Sequence, residues 1–128
     1  MIKEYAKAVS ERLSDNFKSS EFNCKCSYET CNITYIDTDL ITYLEKKRKE
    51  LNKPIVITSG FRCTAHNRDV GGKSGSIHLQ GKAADIRVPG EDMVRLADRF
   101  EDADGRGLYP GRHFLHLDVR GYKARWNG

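Results

Sequence analysis

No run of apolar residues in this chain approaches the roughly 20 that a membrane-spanning helix requires. The opening Met1-Ile2-Lys3-Glu4-Tyr5-Ala6 also lacks the apolar stretch of a secretory signal. These absences lead to the expectation of a protein that stays soluble in the cytoplasm where it is made, with no membrane partner. Internal repeats and low-complexity segments are missing too. Neither sign of charge dominates: 22 basic against 18 acidic residues leave +4, with Arg120, Lys123 and Arg125 forming a basic stretch near the end. A solvated basic surface explains so mild a bias, and no nucleic-acid partner is expected.

What is present is ordinary for a folded domain. Hydrophobic residues make up 38% and charged residues 31%, so neither disorder nor a fibrous repeat is called for. A chain of 128 residues closes one core and is too short to divide into two, so residues 1–128 are read as one domain, expected to be a monomer. The four cysteines are Cys24, Cys26, Cys31 and Cys63. Their C-x-C-x4-C run with a distant fourth fits three arrangements: a structural zinc site, one disulfide with two free thiols, or small buried hydrophobes.

Periodicity supplies the elements. Residues 2–13 are expected to form a short helix, interrupted by Ser14-Asp15-Asn16, with Phe17 and Phe22 anchoring a later core. Asp37 is a good N-cap, and Leu40, Ile41, Leu44 and Leu51 follow at helical spacing, with Glu45, Lys46, Lys47 and Lys49 mostly facing water. That helix stops near Asn52, and Pro54 opens the β-branched strand Ile55-Val56-Ile57-Thr58. After a loop over residues 71–76, Ala83 to Val88 reads as a strand with Asp85 on one face and Ala84, Ile86 and Val88 on the other. A helix from Glu91 to Glu101, a turn at Asp104-Gly105-Arg106-Gly107 and a strand from Phe114 to Arg120 complete the reading. The last strand places His116, Asp118 and Arg120 opposite Leu115, Leu117 and Val119. If the two polar-faced strands pair, His116 comes close to Asp85 and to His78 in the preceding loop.

Residues 76–85 fit the pattern S-x-H-x-x-G-x-A-x-D, through Ser76, His78, Gly81, Ala83 and Asp85. With Thr58-Ser59-Gly60-Phe61-Arg62 and His66-Asn67 upstream, and Phe114-Leu115-His116-Leu117-Asp118-Val119-Arg120 downstream, the chain resembles the D-alanyl-D-alanine-type zinc peptidases (LAS metallopeptidases). That family includes vancomycin-resistance dipeptidases and phage L-alanyl-D-glutamate endolysins, and its fold is shared by the Hedgehog signalling domain. The resemblance covers most of residues 54–126. It implies an α+β fold, with a small antiparallel sheet carrying the metal face and helices packed behind it.

The resemblance also implies that His78, Asp85 and His116 hold one catalytic zinc. Two neutral imidazoles and one carboxylate suit that metal and leave a fourth position open. Arg62 stands where family members carry a substrate-contacting arginine, and its guanidinium suits oxyanion stabilisation. Ser76 is expected to orient the site, since no Ser-His-Asp arrangement surrounds it. His66 is expected to be a loop histidine. The general base is where the chain departs from several relatives, which place a carboxylate three residues before the last zinc histidine. Here that position is His113, which strand alternation sets opposite His116, while Asp118 is on the correct face as base or as brace.

The activity implied is hydrolysis of peptidoglycan stem or cross-link peptides, as carboxypeptidase or endopeptidase, with a D-amino acid near the cut. The implied cofactor is zinc, with a second, structural ion if the cysteines bind one. The setting implied is a phage or prophage endolysin acting on the cell wall after release. Two other classes fit the same residues: a zinc-stabilised wall-binding module without turnover, and a phage-tail component.

Overall fold

A computed structural model describes residues 1–128. Seven strands and three α-helices form an α+β fold with two sheets. β1 (Ile2–Ala6) and β2 (Ile33–Asp37) make an antiparallel pair, with Ile2 opposite Asp37 and Ala6 opposite Ile33. The second sheet runs β3 (Val56–Ser59), β4 (Ala83–Arg87), β6 (Phe114–Asp118), β5 (Gly105–Tyr109) and β7 (Ala124–Asn127) in spatial order. Its pairs are antiparallel except β5 with β7, which are parallel. No helix is long and apolar enough to cross a membrane.

α1 (Thr38–Leu51) begins as its cap dictates: the Asp37 carboxylate accepts the Asp39 N–H at 2.8 Å. It ends at Asn52, whose φ of 52° lies in the left-handed region. Leu40, Ile41 and Leu44 of α1 meet Met93, Leu96 and Ala97 of α3 (Met93–Asp98) and Ala84, Ile86, Leu115 and Leu117 of the sheet in one core. Phe17, Phe22 and Phe100 complete it, as fully buried aromatics. Each such large side chain contributes on the order of 1.5–3 kcal/mol by leaving water. The opposite face of β4 and β6 is left for polar residues.

Several expectations are corrected here. Ile2–Ala6 is a strand, because pairing with β2 satisfies its backbone more fully than an isolated turn of helix could. Glu45 and Lys47 are buried instead of facing water. Glu45 accepts from the Ser14 hydroxyl at 2.6 Å, the Asn16 backbone N–H at 2.7 Å and the Asn16 amide at 2.6 Å, while Lys47 donates to the Arg99 carbonyl at 2.9 Å and pairs with Asp102. The helix expected from Glu91 to Glu101 shortens to Met93–Asp98, starting where the Asp92 carboxylate caps Val94. The turn expected at residues 104–107 is instead the start of β5.

Two basic residues of the C-terminal stretch are also tied inward. The Arg125 guanidinium donates to the carbonyls of Glu101, Ala103, Asp104 and Ala124. Arg120 clasps Asp118.

Candidate metal centre

β4 and β6 pair in a register that sets Asp85 directly opposite His116, on the face turned away from the core. His78 arrives from a 3-10 turn, Ile77–Gln80, whose first N–H groups need a cap. Ser76 supplies it by accepting the His78 N–H at 3.3 Å, the orienting role expected of it. Gly81 ends the turn at φ 74°. A Cβ there would strike the Tyr35 carbonyl of β2, onto which Gly81 docks by accepting the Asp37 N–H at 2.8 Å. The glycine seats the His78 turn on the first sheet.

The three side chains converge. His78 Nε2 and His116 Nδ1 each stand 3.1 Å from Asp85 Oδ1, and all three residues are buried. The outer nitrogens are engaged as well. His78 Nδ1 lies 2.7 Å from the Gly60 carbonyl, which can only accept, so the imidazole proton of neutral His78 is on Nδ1. His116 Nε2 lies 2.8 Å from Asp118 Oδ2, another acceptor.

A neutral imidazole has one N–H, and in both rings the outer acceptor takes it. Each inward lone pair then faces the Asp85 carboxylate oxygen at 3.1 Å, with all three ligand atoms within 4.8 Å of one another, an arrangement that calls for a cation among them. Zinc bonds of roughly 2.0–2.2 Å in tetrahedral array set ligand atoms about 3.3 Å apart, close to the 3.1 Å from each nitrogen to Asp85 Oδ1. The donor set fits zinc, with two imidazoles and one carboxylate as in catalytic sites.

Electrostatics agree with a site built for positive charge. Where protons stand in for a cation the inward ring nitrogens become donors: burial by itself would raise the Asp85 carboxyl, but the hydrogen bonds and charges of His116 and His78 then outweigh it and hold Asp85 well below the usual carboxylate range. Burial would likewise lower His116, yet Asp118 and Asp85 raise it above its ordinary value.

Arg62 sits at the edge of the cluster, following β3. Its Nη2 donates to Asp85 Oδ2 at 3.2 Å, its Nε to Ser59 at 3.1 Å and its Nη1 to the buried Asn67 at 3.3 Å. Asn67 lies on α2 (Thr64–Asp69) and in turn donates to the Lys73 carbonyl at 2.8 Å. The guanidinium is therefore fixed against the carboxylate.

The two candidates for the base separate clearly. Asp118 joins the cluster as the acceptor behind His116, and Arg120 grips it through Nε at 2.9 Å and Nη2 at 2.7 Å. Burial opposes its ionisation, but His116 and Arg120 prevail and hold its carboxyl well below the usual range. His113 is not brought to the cluster. It is exposed, in the left-handed conformation at φ 57° after the turn Pro110–Arg112, and lines a groove with Arg87–Val94 and Pro110. His66 likewise stays outside the ligand set.

Four contributors lie outside the S-x-H-x-x-G-x-A-x-D pattern. The Gly60 carbonyl fixes the His78 tautomer, and a Cβ on Gly60 would come within 2.7 Å of the Phe22 backbone. Trp126, the sole tryptophan, lies with its ring centre 5.0 Å from that of His116 and donates to the Tyr109 hydroxyl at 2.7 Å. Gly105 and Gly107 of β5 face Asp118 and His116 across the sheet, and a Cβ on either would run into the Asp118 carboxylate or the Trp126 ring.

Residues 15–118 match the peptidase M15 family, and the chain belongs to it. Among curated proteins it is similar to the zinc D-Ala-D-Ala carboxypeptidase of Streptomyces albus G, with 38% identity over 80 residues, 59% of this chain and 31% of that protein. It is also similar to the probable peptidoglycan L,D-endopeptidase MepK of Haemophilus influenzae, with 30% identity over 84 residues, 60% of this chain and 45% of that one. The matched region spans less than half the length of either relative.

Proposed function

We propose that the protein is a zinc-dependent peptidase acting on the stem or cross-link peptides of peptidoglycan, with His78, Asp85 and His116 as the metal ligands. The observation that carries this reading is the convergence of His78 Nε2 and His116 Nδ1 on Asp85 Oδ1, each with its outer nitrogen already committed. Family membership and the two relatives' names support the substrate class, and both names specify a D-configured residue. On the resemblance to phage endolysins, the reading extends to a lysin that meets the wall after release from the cell.

Zinc in such a three-ligand site supplies Lewis acidity, which polarises a carbonyl and brings the ionisation of water to near neutral pH. The chain's own residues do the rest. Gly60 and Asp118 hold the two imidazoles in the tautomers that present lone pairs inward. Arg62 steadies Asp85, and of its five N–H groups three have protein acceptors. The remaining two are the donors we assign to the substrate carbonyl as negative charge develops on its oxygen. Asp118 serves as the brace of His116, and His113 has no part in the chemistry.

Digestion of purified peptidoglycan followed by mass spectrometry tests the proposal. New amino and carboxyl ends should appear with wild type, stop with chelator, return with zinc and be absent with His116→Ala. Zinc-loaded wild type that binds wall fragments and cleaves none across the neutral pH range would overturn the peptidase reading in favour of a binding module.

A further inference from the structure

Outside the His-Asp-His set, one other group of metal-ligating side chains gathers. Cys24, Cys26, Cys31 and Cys63 bring their sulfurs within 4.8 Å of one another, from two parts of the chain separated by β2, α1 and β3. All four are free thiols. Cys24 Sγ is 3.7 Å from Cys63 Sγ, which is 3.9 Å from Cys26 Sγ.

These spacings separate the three readings that the sequence left open. A disulfide holds its sulfurs at about 2.05 Å. Buried thiols that pack as small hydrophobes need not converge, and only Cys24 is fully buried here. Four thiolates around a tetrahedral zinc, with Zn–S bonds of about 2.3 Å, stand about 3.75 Å apart. The Cys24–Cys63 and Cys63–Cys26 separations of 3.7 and 3.9 Å lie close to that figure.

The surroundings suit four thiolates. The Cys63 backbone N–H donates to Cys24 Sγ at 3.3 Å, and the His66 N–H donates to Cys63 Sγ at 3.4 Å as the first turn of α2 begins. The Lys7 ammonium lies 3.6 Å from Cys26 Sγ and 3.8 Å from Cys31 Sγ. A zinc tetrathiolate carries a net charge of minus two, and a cation together with N–H donors at the sulfurs offsets it. On binding, the thiols that are still protonated release those protons to solvent, and four zinc–sulfur bonds form with no change of oxidation state.

We propose that Cys24, Cys26, Cys31 and Cys63 hold a structural zinc ion, separate from the catalytic set. Closed four-sulfur sites of this kind stabilise folds and offer no open position for substrate. The ion clasps the segment after Phe22 to the start of α2, one residue beyond Arg62. The same two segments already meet where the Phe61 N–H donates to the Phe22 carbonyl at 2.9 Å. The clasp therefore fixes the stretch that carries both the Gly60 carbonyl and the Arg62 guanidinium.

The test uses the full chain purified under reducing conditions, with zinc content measured per protein and cobalt(II) as a spectroscopic probe. Wild type should hold two zinc ions and His116→Ala one. Cobalt-loaded His116→Ala should show intense thiolate-to-cobalt charge transfer with the bands of a tetrahedral ion. Cys31→Ser should lose that signature, and Cys31→His should restore a tetrahedral spectrum with weaker charge transfer. Alkylation makes the test independent of variant folding: zinc-loaded wild type should protect all four cysteines, and chelator should expose them. A His116→Ala protein that binds cobalt without thiolate bands, a zinc-loaded wild type whose four thiols alkylate freely, or an intact mass two hydrogens short would overturn the proposal. These readouts do not depend on hydrolysis, so the peptidase reading can fail while the tetrathiolate site stands.

Discussion

Asp118 Oδ2 lies 2.8 Å from His116 Nε2, two positions along the same face of β6, and Arg120 closes on the same carboxylate from two positions further. The result is a chain of charge from guanidinium to carboxylate to imidazole that leaves His116 Nδ1 free to face Asp85. Asp118 is expected to act on metal affinity and not as a proton shuttle. Asp118→Asn should retain zinc with an affinity about 10- to 100-fold weaker, the range seen when an outer partner of a metal-binding histidine is removed. Titration against a competing chelator measures this. Unchanged affinity with turnover abolished at saturating zinc would make Asp118 the base after all.

Arg62→Ala should separate binding of metal from turnover. The variant keeps all three ligands, so zinc content at saturation should match wild type, while the rate falls about 100- to 1,000-fold as for loss of a donor to a developing oxyanion. Arg62→Lys should recover little, because one ammonium cannot reach Ser59, Asn67 and Asp85 in a planar fork. Steady-state kinetics on a stem peptide, with metal analysis of the same preparations, decides the matter.

Gly105→Ala probes the crowding behind the site. Its new methyl meets the Asp118 carboxylate, which is boxed in by His116 and Arg120 and has no room to retreat. Overpacking of this kind costs about 1–3 kcal/mol. The expected outcome is a lower thermal midpoint together with weakened zinc affinity. Gly111→Ala, where a Cβ meets nothing within 4 Å, serves as the control and should leave both unchanged.

Stability should depend on Glu45 in a pH-dependent way. Burial opposes its ionisation, but the hydrogen bonds from Ser14 and Asn16 outweigh that effect and hold its carboxyl below the ordinary value of 4.5. The unfolded chain thus takes up the proton more readily than the folded one. The stabilisation is present above the unfolded value and is lost as pH falls through the folded value. Glu45→Gln should cost about 2 kcal/mol at neutral pH, as for hydrogen bonds to a charged acceptor. The gap between variant and wild type should narrow on acidification, as followed by denaturant unfolding at a series of pH values.

How much of this was legible in the sequence varies by element. α1 was, because Asp37 caps it and Leu40, Ile41 and Leu44 recur on one face. β4 and β6 were legible from alternation, and the convergence of His78, Asp85 and His116 followed from a spaced motif plus a polar-faced strand. β5 was missed because Gly105 and Gly107 read as turn residues, when close approach to Asp118 and Trp126 is what requires them. β1 was misread because its strand character comes from pairing with distant residues, from Ile2 with Asp37 to Ala6 with Ile33. β7 and the place of Trp126 beside His116 depend on a parallel pairing that local pattern does not encode. His113 went the way alternation suggested, away from the metal face, and the left-handed turn before β6 is what removes it.

The order of strands carries a consequence for synthesis. β6 lies between β4 and β5, so the last ligand to be made belongs to the strand on which both halves of the sheet close. A nascent chain that has emerged only as far as Pro110 holds His78 and Asp85 but leaves β4 with an unpaired edge and Ala84 and Ile86 without their strand partners Leu117 and Leu115. Such edges invite pairing with other chains. Ribosome-stalled or truncated forms should therefore aggregate, and they cannot assemble the His-Asp-His set, so any activity of that set begins only with the closed sheet.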